Sequence, residues 1–130
     1  MKTTMGNYDL ANKPVTFFDG EIFVIDNINM VDEAIAYLSQ QSLLGFDTET
    51  KPAFSSADSR IRKVALLQLA DDKRAYLFRL NKIGLPKQLK NLLVNKEIKK
   101  IGVAIHDDIR LLNKLNSFSA ENFIDLQNII

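Results

Sequence analysis

Two apolar runs separated by three polar residues do most to limit what this chain can become. "KVALLQLA" (63–70) and "RAYLFRL" (74–80) flank Asp71-Asp72-Lys73. Strand-forming runs joined by so short a polar link read as a β-hairpin. The first run is almost continuously apolar, which predicts a strand covered on both faces.

Alternating elements surround the hairpin. "EIFVID" (21–26) follows the turn signal Asp19-Gly20 and reads as a strand. In "NMVDEAIAYLSQQ", Val31, Ala34, Ile35 and Leu38 recur at i, i+3, i+4 and i+7, the spacing of an amphipathic helix, with Asn29 as its expected N-cap. "LLGFDTET" (43–50) is the next strand, and "KPAFSSADSR" (51–60) a loop. Pro86 opens a helix at its favoured first position, with Leu89, Leu92 and Leu93 on one side. "KKIGVAI" (99–105) reads as a buried strand, "HDDIRLLNKLN" (106–116) as a helix and "NFIDLQ" (122–127) as a last strand. The order β-α-β-β-β-α-β-α-β predicts an α/β domain with a mixed sheet flanked by helices. Residues 1–19 read as a polar lead-in and 20–130 as part of one domain, and 130 residues suffice for about one.

Composition closes off several chemistries. The chain has no cysteine, which excludes disulfides and thiolate metal sites and fits a reducing, cytoplasmic setting. One histidine argues against a histidine-based zinc site. The net charge of +1 gives no global field toward a polyanion. The N-terminal stretch lacks the apolar segment of a signal peptide, and no apolar run is long enough to span a membrane.

Within "LLGFDTETKP" (43–52), an apolar run drives straight into Asp47 and Glu49. Side chains two apart on a strand share a face, roughly 7 Å apart. Like charges held together are costly unless a cation sits between them, and Mg²⁺ or Mn²⁺ takes oxygen donors of this kind. A strand end that has reached solvent would carry the same acids. The third acid shifts that balance. Asp108, Leu111, Leu112 and Leu115 fall at i, i+3, i+4 and i+7, so Asp108 heads the apolar face of its helix. Asp107 shares a stripe with Arg110 and Lys114, the wet side. Facing Asp47 and Glu49 across a strand–helix junction, Asp108 would complete a three-carboxylate cluster suited to two-metal phosphoryl transfer. Weaker candidates are a basic stretch of Lys87, Lys90, Lys96, Lys99 and Lys100, which would track phosphates or form a solvated face. Phe17, Phe18 and Phe54 would stack on bases or simply pack, and Phe54 is the best placed of them.

These segments resemble a known family. "GFDTET" is similar to the first motif of the DEDD 3′-5′ exonucleases, the DnaQ-like or ribonuclease-H-like group. "KVALLQLADDKRAYLF", "KKIGVAIHDDIRLL" and "NFIDLQ" resemble the hairpin, second motif and following strand of its ribonuclease D and Werner-exonuclease branch. The resemblance covers about residues 20–130 in collinear order and implies a ribonuclease-H-like fold. It implies release of nucleoside monophosphates from the 3′ end of a nucleic acid, single-stranded or 3′-ended, with two divalent ions, Mg²⁺ or Mn²⁺. Asp47, Glu49 and Asp108 would be the metal ligands, with Glu49 also near the terminal 3′-hydroxyl. The backbone at Thr48 and Thr50, with Phe54 beside them, would touch the terminal nucleotide. The family's third motif, a Tyr or His followed four residues later by Asp, lies beyond the segment matching "NFIDLQ", so the chain is expected to represent the N-terminal two-thirds of such a domain. Neither Glu121 nor Asp125 has the spacing to replace it, and His106 belongs to the second motif. Impaired cleavage and self-association through an uncovered sheet face are therefore expected. A binding module that does not cut, and a structural fragment needing a completing segment, are the rival readings.

Overall fold

The computed structural model describes residues 2–3, 18–52 and 62–128. Seven strands form one mixed sheet in the order β1-β2-β5-β4-β3-β6-β7. They are β1 (Lys2–Thr3), β2 (Glu21–Ile25), β3 (Leu43–Pro52), β4 (Arg62–Ala70), β5 (Arg74–Arg79), β6 (Lys99–Gly102) and β7 (Phe123–Asp125). The expected hairpin is β4–β5, and β3 runs antiparallel to β4 on its other side. β3, β6 and β7 run parallel to one another. The helices are α1 (Val31–Leu38), the single turn α2 (Leu80–Ile83), α3 (Lys87–Leu93) and α4 (His106–Leu115).

Apolar side chains decide which face the helices cover. Across the sheet, Phe46, Leu69, Tyr76 and Phe23 form one row of paired residues, and Thr48, Leu67, Phe78 and Ile25 the next. Val31, Ala34 and Leu38 of α1, Leu89, Leu92 and Leu93 of α3, and Leu112 of α4 pack in the same cluster as these rows. Each fully buried side chain of this size contributes roughly 1.5–3 kcal/mol of transfer free energy. The alternate residues of β3, from Leu43 to Lys51, are exposed.

Several expectations need correction. β4 is helix-covered on one face only, with Leu66, Gln68 and Ala70 half-buried on the other. Its unbroken apolar look comes partly from a bulge: Glu49 pairs with Leu66 but Thr50 with Val64, so Val64 and Ala65 are both buried in succession. The strand expected to reach Leu80 stops at Arg79, and Leu80 starts α2. The cap expected at Asn29 is Asn27, whose side chain accepts from the Asn29 N–H at the start of a 3₁₀ turn, Ile28–Met30, that leads into α1. Pro86 stands one position before α3 rather than inside it. Within the expected lead-in, Lys2–Thr3 pair with Phe23 and Ile22, while 4–17 lie outside the described residues. Among the described residues no helix is long and apolar enough to cross a membrane.

Lys100 is fully buried in β6, so it is no part of a phosphate-tracking surface. Its ammonium donates to the Asn95 carbonyl at 2.8 Å and lies 5.1 Å from the Phe123 ring centre. Burial pushes its pKa down from 10.5 to about 8, against the opposing pull of Glu121. Between those values the unfolded chain holds a proton that the folded chain has released, so this group makes stability rise with pH. Tyr37 acts in the opposite sense above pH 10, because burial and its bond to Asp71 push its pKa up to about 12. Urea unfolding from pH 8 to 10 is therefore expected to show wild type gaining stability relative to Lys100→Met. A difference that stays flat across that interval would contradict the assignment.

Candidate active site

Strand alternation distributes the "DTET" residues. Asp47 and Glu49 are exposed on the face away from the helices, and Thr48 and Thr50 are half-buried on the helix side. The Thr48 N–H donates to Asp47 Oδ1 at 2.9 Å, so it is engaged within the chain. The Thr48 hydroxyl donates to the carboxylate of Asp108. Phe54 and Phe17 lie outside the described residues, and Phe18 is half-buried.

α4 separates its two neighbouring acids as the helical spacing predicts. Asp107 is exposed and lies 3.5 Å from Arg110. Asp108 is half-buried, and Leu112 on the same stripe is fully buried, although Leu115 at its end is 37% exposed. A tight turn leads into α4. The strand expected to reach Ile105 ends at Gly102, and Ala104 takes a left-handed φ of 54°. A Cβ on Gly102 would lie 2.6 Å from the Phe46 carbonyl oxygen and 2.5 Å from Ile105 Cγ2, so only glycine allows this approach to β3. Asp125, at the end of β7, accepts N–H bonds from Ala104 at 2.9 Å and Ile105 at 3.2 Å, and from Gln127 at 3.0 Å. Desolvation pushes its carboxyl up, but these bonds outweigh it and hold the pKa below the usual value. This backbone role of Asp125 has no signal in the sequence, where its spacing only rules it out as the missing ligand.

Carboxylate oxygens suit a hard divalent ion in kind. Among the described residues, no three His, Asp or Glu side chains are gathered closely enough to hold one. The structure brings Asp47 and Glu49 to one face, and brings Asp108 to the threonine between them. Beside Glu49 opens a cavity of about 210 Å³ whose lining includes Lys51, Arg79 and Asn81. Of the basic stretch, Lys87, Lys96 and Lys99 are exposed, while Lys90 is tied to Asn116 Oδ1 at 3.0 Å and the Ser117 carbonyl at 3.1 Å.

The mixed sheet with its flanking helices matches the fold of ribonuclease-H-like exonucleases. The EXD2 exonuclease domain superposes with a TM-score of 0.71 at 22% identity, over 83% of this chain and 58% of that one. The Nibbler EXO domain of Aedes aegypti gives 0.70 at 23% identity, over 83% and 54%. The bifunctional 3′-5′ exonuclease/ATP-dependent helicase WRN of Mus musculus is 32% identical over 124 residues, which is 91% of this chain and 9% of the mouse protein. A family profile described as 3′-5′ exonuclease matches residues 22–129. The chain thus belongs to the 3′-5′ exonuclease family, in its ribonuclease D and Werner-exonuclease branch. It spans little more than half of those two structural neighbours.

The tight passage at Gly102 gives a direct test. Gly102→Ala is expected to cost about 1–3 kcal/mol, the range for overpacking against atoms that cannot move aside. Urea unfolding measures the loss, and a change under about 0.5 kcal/mol, the range of neutral surface substitutions, would show that α4 can shift freely on β3.

Proposed function

We propose that residues 20–130 form the N-terminal part of a domain that hydrolyses nucleic acid from its 3′ end, with Asp47, Glu49 and Asp108 as ligands of divalent ions. The observation that carries this reading is the arrival of Asp108 at Thr48, between the two acids of β3. Strand and helix converge there from positions 60 residues apart. When bound, Mg²⁺ or Mn²⁺, two ions in the complete site, would stabilise charge on the phosphoryl oxygens as Lewis acids. The EXD2 domain has been soaked with Mg and dGMP, and the ribonuclease D of Trypanosoma brucei has been crystallised with RNA. Both support a nucleic-acid end as the ligand here.

The chain's own residues would bind and orient that end. Lys51 and Arg79 place two cations at the cavity beside Glu49, complementary to a phosphodiester. Glu49 lies at the same cavity and would face the terminal sugar. The backbone at Thr50, and Phe54 outside the described residues, would contact the last nucleotide.

No Tyr or His of these 130 residues is followed four positions later by Asp. The chain by itself would therefore cut weakly, because a positioned general base contributes roughly 10²- to 10⁴-fold. The same observation favours a second reading, a module that holds a nucleic-acid end without cutting. Leu43, 50% exposed, lies on the outward face of β3, and that face would mediate self-association or receive a completing segment.

Mn²⁺ titration of the chain should show weaker binding in Asp47→Asn, Glu49→Gln and Asp108→Asn. Asp107→Asn should bind as wild type and lose no more than about 0.3–1 kcal/mol of stability, the value of a first-turn charge. Equal affinity in all four variants would end the metal reading. For the reaction, 3′-labelled and 5′-labelled single-stranded oligonucleotides are incubated with Mg²⁺ or Mn²⁺. A version carrying the third motif should release the 3′ label as mononucleotide and shorten the 5′-labelled strand stepwise, while the 130-residue chain does so far more slowly. Retention of labelled oligonucleotide without cleavage by both proteins would favour the binding module.

A further inference from the structure

The β6–α4 turn is held from outside its own elements. Its residues have little regular pairing: β6 stops at Gly102, and Ile105, the residue before α4, has no side-chain cap to offer. Ala104 sits at φ 54°, a conformation that L residues other than Asn and Asp seldom adopt unaided. A polar backbone in this state needs acceptors for its N–H groups. The Asp125 carboxylate provides them, one oxygen to Ala104 and the other to Ile105, from a residue 21 and 20 positions away. Its own strand is fixed by pairing with β6 and by the edge-on contact of Phe123 with Phe46, ring centres 5.0 Å apart. Asp108 lies three residues beyond the clamped Ile105, on the first turn of α4.

We propose that Asp125 is a positioning residue for the nuclease site: by bridging the N–H groups of Ala104 and Ile105 it sets the height and rotation of α4, and so the place of Asp108 against Thr48. The proposal rests on the reading of Asp108 as a metal ligand. It gives Asp125 no contact with metal or substrate. Its action runs through the turn alone, and this separates it from a fourth ligand. Charge-assisted bonds to backbone N–H are among the stronger ones, and a carboxylate at this spot can satisfy two donors at once. An amide side chain keeps one acceptor oxygen and turns a donor toward the other N–H, so Asp125→Asn should already disturb the turn.

The test uses the 130-residue chain as wild type, Asp125→Asn, Asp125→Ala, Asp108→Asn and the Asp108→Asn/Asp125→Asn double variant. Each is first shown to melt cooperatively. If Asp125→Ala does not fold, Asp125→Asn carries the test. Without metal, amide NMR of Asp125→Asn should move the Thr48 and Asp108 resonances along with those of Ala104 and Ile105. Resonances that move only at Ala104 and Ile105 would overturn the proposal, because the turn would then be local. Mn²⁺ affinity should fall about tenfold, the loss seen when groups that orient metal ligands are removed. The double variant should bind no more weakly than Asp108→Asn. Losses that multiply would overturn the proposal in favour of Asp125 acting independently. If Asp108→Asn itself leaves Mn²⁺ affinity unchanged, the metal reading fails, while the NMR comparison still decides whether Asp125 places α4.

Discussion

Leu44 and Phe46 are driven inward by burial, and the two-residue period of a strand then leaves Asp47 and Glu49 no choice of face. A slip of one residue would bury both acids beneath the helices, so the apolar pair enforces the register that exposes the acids. The same period turns Thr48 toward the helices, where a half-buried hydroxyl needs a partner. Asp108 is that partner. Among the described residues no buried side-chain nitrogen or oxygen lacks one. The placement of these acids is thus a consequence of core packing. The residues that bury β3 aim the acids, and the residue between them receives α4.

This placement changes the weight of the charge argument. Two carboxylates about 7 Å apart in water repel by only about 0.6 kcal/mol. Exposed on the sheet face, Asp47 and Glu49 do not need a cation to be tolerated. Asp108 is different: it sits half-buried at the head of an apolar helix face when the outward side was open to it. Asp107, one residue earlier, shows the alternative: it is exposed and beside Arg110.

Period and spacing made most of the architecture legible in the sequence. The hairpin, the three longer helices and the separation of Asp107 from Asp108 all follow from residues close together in the chain. What escaped depends on partners far away. The β4 bulge shows only in its register against β3, which shifts between Glu49 and Thr50, and a continuous apolar run looks the same with or without it. β6 ends at Gly102, where a Cβ would meet the Phe46 carbonyl, a contact across 56 positions with no local signal beyond the glycine. Lys100 looked like one of a basic group, but strand alternation puts it inside beside Leu44 and Phe123, its neighbours across β6. Eliminating Asp125 as a ligand by its spacing left its bonds to Ala104 and Ile105 unseen, because an acceptor for backbone N–H carries no motif.

The shared direction of the neighbouring strands β3, β6 and β7 explains why these features meet. β3, β6 and β7 run in one direction, so their carboxyl ends lie along the same edge of the sheet. Asp47 and Glu49 lie just past the part of β3 that pairs with β6, still in register with β4, while Gly102 ends β6 and Asp125 ends β7. In open α/β sheets ligands bind in the crevice outside such ends, because the chain leaves each strand there and can shape a pocket without breaking the ladder. α4 starts just past the end of β6, its first turn carrying Asp108 and its preceding turn clamped by Asp125. β7 contributes only three residues of ladder, yet Phe123 packs on Phe46 and Asp125 holds the turn. β7, the shortest of these neighbours, thus holds the turn from which α4 and Asp108 follow.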